Sequence, residues 1–282
     1  MAFGDEVEIT AMTQALVLAG AASRQSLVRW SQSRSKAAIR LFGRPVIEYV
    51  LEALLAAKEV SNVTVAGAPD LVSINFATRQ KVNWAPSGPT MVQSLQQGLS
   101  VVEGDGPVLV VACDLPLLTP QAVDDFLRLA RQTGGDVVYP LVPKRAVTTL
   151  GRGAFKKYVR TREGSFSAGN IALISGTLKE PALSLLERAH RWRKRPQILG
   201  SILGWHAWMR LLARRMSFAD LERRVREITG VDFKIVPIEH GCIAFDLDSP
   251  KDHVVALRCM SQRQNLSGPL RVKSRSWSNF ES

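Results

Sequence analysis

The sequence predicts an α/β protein in which helices cover both faces of a mostly parallel β-sheet. Short runs rich in Val, Leu and Ile alternate with longer segments of helical period, which is the pattern of such a sheet. Several of the short runs are apolar throughout, as expected for strands that are buried on both faces. With 282 residues, 46% of them hydrophobic and 22% charged, the chain can bury a core, and collagen-like, low-complexity and disulfide-scaffold classes are excluded.

The first half of the chain contains a regular succession of strands and helices. Residues 15–19 are an apolar run, which predicts a strand, and residues 63–66 predict the next one. Between them, Pro45 suits the first position of a helix whose apolar residues up to Ala57 share one face. Residues 90–102 have helical period and predict a second helix.

The second half begins with the most apolar strand and ends with a helix. Residues 108–112 are apolar throughout, so we expect this strand at the centre of the sheet. Thr119 and the proline after it supply a cap and a first helical position for residues 121–131. Further strands are predicted at residues 137–139, 171–174, 233–238 and 243–245. An Asp-Ser pair caps the last predicted helix, residues 250–259.

Positive charge is concentrated in one part of the chain. The formal net charge is +12, and residues 187–226 contain eleven Lys and Arg against three acidic residues. This segment lies within a helical stretch that interrupts the α/β alternation. We expect an N-terminal extension over residues 1–13, a folded domain over residues 14–260 with a basic helical insertion at residues 178–230, and a disordered basic tail over residues 261–282.

The cysteines and the first apolar run indicate a cytoplasmic protein. Cys113, Cys242 and Cys259 are far apart and match no CxxC spacing, so neither a zinc site nor a disulfide framework is predicted. The run from Ala15 to Ala22 is too short to span a bilayer and follows acidic residues, so no secretion signal is expected.

Small residues directly follow the first predicted strand. They are Leu18, Ala19, Gly20 and Ala21. Small side chains let backbone N–H groups approach phosphate oxygens, and the Ser-rich loop from Arg24 to Lys36 adds positive charge. A turn glycine without a ligand is the simpler interpretation of the same residues.

A carboxylate follows the predicted central strand. Asp114 needs water, a cation or a hydrogen-bond donor there, because uncompensated burial would cost several kcal/mol. Mg²⁺ favours one or two carboxylates together with substrate phosphates. A capping role for Asp114 is the alternative, but Thr119 is better placed to cap the following helix.

Further acidic residues lie near the end of the chain. Asp246 and Asp248 follow an apolar run, and in an extended segment they would point to one face and share a cation. Alternatively, Asp248 or Ser249 caps the last helix and Asp252 favours its positively charged end. The spacing alone leaves both interpretations open.

These motifs together resemble those of the MobA-like nucleotidyltransferases. The resemblance rests on the strand ending Leu18-Ala19-Gly20, on Arg24 and Lys36, on the segment Gly43–Val50, on Asp114 with its Leu-Pro-Leu-Leu-Thr-Pro continuation, and on the segment Asp246–Asp252. It implies a Rossmann-like GT-A fold, a three-layer α/β/α arrangement with a mostly parallel mixed sheet. Enzymes of this kind move a nucleoside monophosphate from an NTP to an acceptor and release pyrophosphate.

The resemblance also implies roles for the charged residues. Asp114 would hold Mg²⁺ with Asp246 or Asp248 as the second carboxylate. Arg24 and Lys36 would steady the triphosphate and the departing pyrophosphate. Arg24, Lys36 and Asp114 are therefore the expected catalytic residues.

Two further regions complete the implied site. The nucleotide would lie between the small residues after the first strand and a second segment that contains Ser87, Gly88 and Thr90. The acceptor, a phosphorylated small molecule or a lipid phosphate, would face Gly169 and Asn170. CTP or GTP is the expected nucleotide.

The basic insertion carries an apolar stripe that needs a partner. The stripe consists of Ile198, Ile202, Trp205, Met209, Leu212 and Met216. Docking on the folded domain is one interpretation. The other is that residues 187–226 rest on anionic lipid at the inner membrane face, where they would present a membrane-borne acceptor. Nucleic-acid binding is not expected, because no base-stacking or groove-reading motif is present.

Two alternatives to a nucleotidyltransferase remain at this point. A GT-A glycosyltransferase would use the same fold, but its metal-binding Asp-x-Asp normally follows a mid-chain strand, whereas Asp246 and Asp248 lie near the end of the chain. A catalytically silent nucleotide-sensing or membrane-docking module is the second alternative. It is suggested by Ala21, which stands where the family usually has glycine, and by Lys36, which comes twelve residues after Arg24.

Overall fold

The computed structural model confirms the predicted fold class. It describes residues 12–20, 26–33, 35–68, 71, 77–151, 157–176, 178 and 216–266. Over these residues the chain forms one nine-stranded mixed sheet and a separate two-stranded hairpin. Within the same residues, no helix combines the length and the apolar character needed to cross a bilayer.

The elements follow the alternation that the sequence predicts. The strands are β1 Thr13–Ala19, β2 Arg40–Leu41, β3 Arg44–Pro45, β4 Val60–Gly67, β5 Asn83–Pro86, β6 Val108–Ala112, β7 Val137–Pro143, β8 Val159–Arg160, β9 Ser165–Ala168, β10 Ile171–Ile174 and β11 Phe233–Pro237. The helices are α1 Ser26–Trp30, α2 Val46–Leu55, α3 Met91–Leu99, α4 Pro120–Thr133, α5 Lys144–Thr148, α6 Phe218–Thr229 and α7 Pro250–Leu266. Short 3-10 turns lie at Lys36–Ala38, Arg79–Lys81 and Gly241–Ala244.

The sheet is parallel over its first four strands and mixed thereafter. Its order is β5-β4-β1-β6-β10-β7-β9-β8, with β11 beside β7. Strands β5, β4, β1 and β6 pair in parallel, and β10 joins β6 to β7 by antiparallel pairing on both sides. The carboxyl ends of the parallel strands therefore meet at one edge, where ligands bind in open α/β sheets.

Helices cover the two faces of this sheet. Successive residues of β1 enter different hydrophobic clusters, because side chains alternate along a strand. Val17 belongs to the large cluster that includes α2 and α4, whereas Leu16 packs with α3 on the opposite face. A Cβ on Gly98 of α3 would overlap the Leu16 side chain, so α3 lies unusually close to the sheet. This arrangement is the three-layer fold that was predicted.

Most predicted elements are present, and one strand prediction is wrong. Strands 108–112 and 171–174 have the predicted bounds. Residues 243–245 were predicted as a strand, but Ile243 lies in the 3-10 turn Gly241–Ala244 and Phe245 follows it. The backbone N–H groups of these two residues each donate to the carbonyl oxygen three residues earlier. The residues are apolar because they are buried, and burial alone does not distinguish a strand from a turn.

The extension, insertion and tail lie largely outside the described residues. Residues 1–11, 179–215 and 267–282 are not described, so most of the apolar stripe in the insertion is not described either. Its last member, Met216, is buried on the domain with 2% of its surface exposed. Helix α7 continues to Leu266, past the boundary at residue 260 that the composition suggested.

Candidate nucleotide and metal site

The candidate site begins at the carboxyl end of the central strand β6. Asp114 follows this strand by two residues and is buried, with 8% of its side chain exposed. Its carbonyl oxygen accepts a hydrogen bond from the backbone N–H of Leu247 at 3.1 Å. This bond fastens the segment that precedes α7 to the tip of β6, although the two are more than 130 residues apart in sequence.

Three carboxylates converge at this point. One oxygen atom each from Asp114, Asp246 and Asp248 lies within 4.8 Å of the others. The three residues are buried, half-buried and exposed respectively, so the cluster leads from the interior to solvent. Carboxylate oxygens in a partly open arrangement are the ligands that Mg²⁺ accepts while it retains room for phosphate oxygens. The residues therefore fit a divalent cation.

A capping box holds the acidic segment in place. The buried carboxylate of Asp252 accepts hydrogen bonds from the backbone N–H groups of Asp248, at 3.2 Å, and of Ser249, at 2.9 Å. The Ser249 hydroxyl in turn accepts from the N–H of Asp252 at 3.4 Å. Ser249 and Asp252 thus start α7, while the carboxylate of Asp248 joins the cluster. Ser249 and Asp252 realise the capping interpretation, which leaves the carboxylate of Asp248 available to the cluster.

Lys36 lies within the carboxylate cluster. Its Nζ donates to Asp114 Oδ2 at 2.6 Å and to Asp248 Oδ1 at 2.5 Å. Only 15% of the Lys36 side chain is exposed. Burial by itself would lower the pKa of Lys36, but the two carboxylates outweigh it and raise the pKa above its ordinary value. The ammonium group is therefore charged at neutral pH.

The segment before Lys36 is described only in part. Helix α1 ends at Trp30, and the 3-10 turn that carries Lys36 packs through the buried Ala37. Arg24 and Ala21, which were predicted to contact the triphosphate, lie outside the described residues. Of the two basic residues predicted to bind the triphosphate, the structure describes Lys36, which contacts the carboxylates.

The two predicted nucleotide-binding segments lie against each other. A Cβ on Gly20 would be 2.7 Å from Ser87 Oγ and 2.9 Å from Ser94 Oγ, which only glycine avoids. Thr90 caps α3 by accepting from the N–H of Gln93 at 3.2 Å. The end of β1 and the start of α3 therefore form one continuous surface. The Leu18 and Ala19 side chains pack in the hydrophobic clusters of the sheet, and both residues pair with β4.

The start of α3 is fixed by a residue that sequence analysis missed. The hydroxyl of Ser94, buried to 2% exposure, donates to Thr90 O at 3.0 Å and accepts from Gly88 N–H at 3.1 Å. Gly88 is required here, because a Cβ would overlap Gln93. The capping sequence from Thr90 to Gln93 does not reveal the role of Ser94, because the Ser94 side chain reaches from within the helix back to the preceding loop.

The predicted acceptor residues support the acidic segment. The Asn170 N–H donates to Ile243 O at 3.0 Å, and its carbonyl accepts from the N–H of Ala112 at 3.0 Å. The Asn170 side-chain amide also donates to Ile243 O, at 3.4 Å. Asn170 therefore joins β6 to the turn that precedes the acidic residues. Gly169 is buried beside Pro140 and leaves no space for a Cβ.

Comparison with known proteins gives one family and several related structures. The family model described as MobA-like NTP transferase domain matches residues 15–226. A solved structure of a hypothetical transferase from Thermus thermophilus is 33% identical, with a TM-score of 0.76, over 86% of this chain and 99% of that one. A CMP:2-keto-3-deoxy-manno-octonic acid synthetase structure, at 14% identity and a TM-score of 0.55, shares the fold.

Two curated relatives match about half of the chain. A probable molybdenum cofactor guanylyltransferase of Thermococcus gammatolerans is 25% identical over 134 residues, which are 48% of this chain and 68% of the relative. A 2-C-methyl-D-erythritol 4-phosphate cytidylyltransferase of a Synechococcus strain is 28% identical over 127 residues, or 44% of this chain. That second match spans 56% of the relative's own length.

Proposed function

Since the chain belongs to the MobA-like NTP transferase domain family, we propose that it is a Mg²⁺-dependent enzyme that transfers a nucleoside monophosphate from CTP or GTP to a phosphorylated acceptor. The observation that carries this proposal is the convergence of Asp114, Asp246 and Asp248 around Lys36. Family membership favours nucleotidyl transfer over glycosyl transfer, for which the late position of the acidic pair is also unusual. CTP and GTP are chosen because the curated relatives are named as cytidylyl- and guanylyltransferases.

The proposed reaction is a displacement at the α-phosphorus of the nucleotide. An oxygen of the acceptor phosphate forms a bond to this phosphorus, and the bond to the bridging oxygen of the β-phosphate breaks, so pyrophosphate leaves with the bonding electrons. An ionised phosphate oxygen needs no general base. The protein then chiefly aligns the reactants and compensates their charge.

Three groups of residues would perform this alignment. Asp114, with Asp246 or Asp248, would hold Mg²⁺, which when bound neutralises phosphate charge and polarises the α-phosphate. Lys36, with Arg24, would bind the triphosphate and stabilise the negative charge that builds up on pyrophosphate. Each of these interactions strengthens as charge moves to the leaving group.

The nucleotide would occupy the surface between β1 and α3. Backbone groups from Leu18 to Ala21 and from Ser87 to Thr90 would contact its phosphates and sugar. The contact between Gly20 and Ser87 favours this placement, because it makes one surface out of the two segments. Gly169 and Asn170 would line the acceptor side.

The acceptor is proposed to be a phosphorylated small molecule or a lipid phosphate. The segment 187–226 contains eleven basic and three acidic residues, and its net positive charge favours an anionic acceptor. We propose that residues 14–260 form the nucleotidyltransferase domain of a cytoplasmic protein and that residues 178–230 are its basic insertion. Flotation with anionic and neutral vesicles, with and without residues 187–226, distinguishes a membrane-borne acceptor from a free one.

Pyrophosphate release tests the proposed function. The full chain is incubated with Mg²⁺, each of CTP, GTP, ATP and UTP, and phosphorylated acceptors, and released pyrophosphate is measured. Asp114→Asn should lower the rate by at least about 100-fold, because even partners outside the ligand shell contribute 10- to 100-fold to metal sites. Asp105→Asn removes an exposed carboxylate and serves as the matched control, with less than about twofold effect. Activity that survives Asp114→Asn would refute the metal assignment.

A further inference from the structure

The ammonium group of Lys36 lies where a divalent cation would bind. Lys36 Nζ is 2.6 Å from Asp114 Oδ2 and 2.5 Å from Asp248 Oδ1, so it contacts two of the three clustered carboxylates directly. Mg²⁺ binds carboxylate oxygens at about 2.0–2.1 Å. An ion held by the same two carboxylates would lie close to the ammonium group, and two positive charges repel each other at such a distance in a partly buried site.

The carboxylates and the lysine differ in how far their charged groups can move from a fixed backbone. Asp114 is tied to the tip of β6, and Asp248 is fixed through the capping box. The backbone carbonyl of Lys36 accepts from the Ile39 N–H at 3.2 Å, and its four-carbon side chain carries a compact charge that can change partners, whereas an aspartate carboxylate is separated from its backbone by a single carbon. The lysine side chain is therefore the component that can move without disturbing the fold.

We propose that Lys36 exchanges partners during nucleotide binding: it pairs with Asp114 and Asp248 in the empty enzyme and moves to the triphosphate when the nucleotide arrives. This inference rests on the proposed function and extends it to the order of binding. While Lys36 neutralises the carboxylates, the cation alone binds weakly. The phosphates draw the ammonium group away, so that the cation and the nucleotide enter together.

The exchange has two consequences for the empty enzyme. Its three carboxylates are not left with uncompensated mutual repulsion, because Lys36 supplies a counter-charge until substrate arrives. Free divalent cations also do not fill the site in the absence of nucleotide. A permanent structural ion pair between Lys36 and Asp114 would also weaken cation binding in the empty enzyme, but it would persist when the nucleotide binds, so Lys36 would make no contact with the phosphates.

Titrations with Mn²⁺ alone and with its nucleotide complex together distinguish the exchange from a permanent pair. Binding to the nucleotide-free full chain is followed by the electron paramagnetic resonance signal of free Mn²⁺. Lys36→Gln keeps a hydrogen-bond donor for Asp114 but removes the charge, and it should bind Mn²⁺ about tenfold more tightly than the wild type. The same variant should bind the Mn²⁺ complex of CTP or GTP about tenfold more weakly, because it lacks the phosphate contact.

Two control variants accompany Lys36→Gln. Lys36→Arg keeps the positive charge and should retain the weak Mn²⁺ affinity of the wild type. Lys251→Gln removes an exposed lysine three residues after Asp248 and should change the Mn²⁺ affinity by less than about twofold. A general loss of structure would weaken both measured affinities, whereas the proposal requires them to move in opposite directions.

Every outcome of this experiment decides the proposal. If Lys36→Gln binds Mn²⁺ alone no more tightly than the wild type, the exchange is refuted while the proposed function stands, provided that Mg²⁺ and NTP stabilise the wild type. If Lys36→Gln and Lys36→Met both fail to fold, the ion pair is structural and the exchange is also refuted. If no variant binds Mn²⁺ with or without nucleotide, the proposed function fails as well.

Discussion

Substituting Gly20 by alanine tests whether β1 and α3 form one nucleotide-binding surface. The added Cβ would lie 2.7 Å from Ser87 Oγ and 2.9 Å from Ser94 Oγ, and closer still to Ser87 Cβ. Carbon atoms in ordinary contact are about 3.5–4.0 Å apart, so the two segments must separate by at least about 1 Å. Ser94 cannot move aside at low cost, because its hydroxyl is bonded to Gly88 and Thr90.

The separation should affect stability and activity by different amounts. Overpacking of this kind costs about 1–3 kcal/mol of unfolding free energy, measured by chemical denaturation. A displacement of about 1 Å at a site that aligns reactants costs about 100-fold in turnover, measured by pyrophosphate release. Ser87→Gly in the Gly20→Ala background removes the nearest atoms and should restore most of both quantities.

Gly106→Ala is the matched control for this substitution. A Cβ on Gly106 meets no atom within 4 Å, so the same chemical change should leave stability and turnover nearly unaltered. If Gly20→Ala lowers turnover and nucleotide affinity by less than about threefold while Gly106→Ala behaves as expected, the two segments do not bind the nucleotide together. The proposed placement of the nucleotide would then be wrong.

Three further substitutions or treatments have defined outcomes. Asp252→Ala removes the acceptor that fixes Asp248, so it should cost about 0.5–2 kcal/mol in chemical denaturation and weaken nucleotide-dependent Mn²⁺ binding about tenfold; unchanged Mn²⁺ affinity would contradict the positioning role. Hydrogen bonds from Gln121 and, to a smaller extent, from His240 hold the pKa of Asp125 below its ordinary value of 3.8. The ionised carboxylate therefore contributes fully to the stability of the fold above that pH, and this contribution is lost as the pH falls. Wild type should therefore exceed Asp125→Asn in stability by at most about 1 kcal/mol at neutral pH, and the difference should vanish in acid. Burial raises the pKa of the described cysteine thiols, so they should react with a thiol reagent only after unfolding; rapid reaction of the native protein would contradict their burial.

The position of Asp114 could be predicted because its local sequence is unambiguous. The apolar run of five residues predicted a buried strand, which the structure confirms, and Thr119 rather than Asp114 caps the following helix. The parallel arrangement then brings strand ends to one edge, which is why distant residues could be grouped into one site. Ser87 was grouped with Gly20 only through the family resemblance, because the strand β5 that precedes Ser87 was not predicted.

Other features could not be predicted, because they depend on contacts that sequence spacing does not encode. The partners of Lys36 are set by the path of an irregular loop, so sequence analysis predicted its contact with phosphate and missed its contact with the carboxylates. Ile243 is buried in a 3-10 turn that is as apolar as a buried strand, so its composition did not distinguish the two. Strands β8 and β9 are short and lack an alternating pattern, so nothing in their sequence distinguished them from loop.

The most direct test is a crystal structure of the full chain with Mn²⁺ and a non-hydrolysable analogue of CTP or GTP, with the ion located by its anomalous scattering. We expect a Mn²⁺ peak in contact with Asp114, with Asp246 or Asp248 and with the α-phosphate, and we expect Lys36 Nζ to be bonded to the triphosphate. A nucleotide bound elsewhere, with Lys36 still paired to Asp114 and no metal at the three carboxylates, would contradict the proposed transferase site.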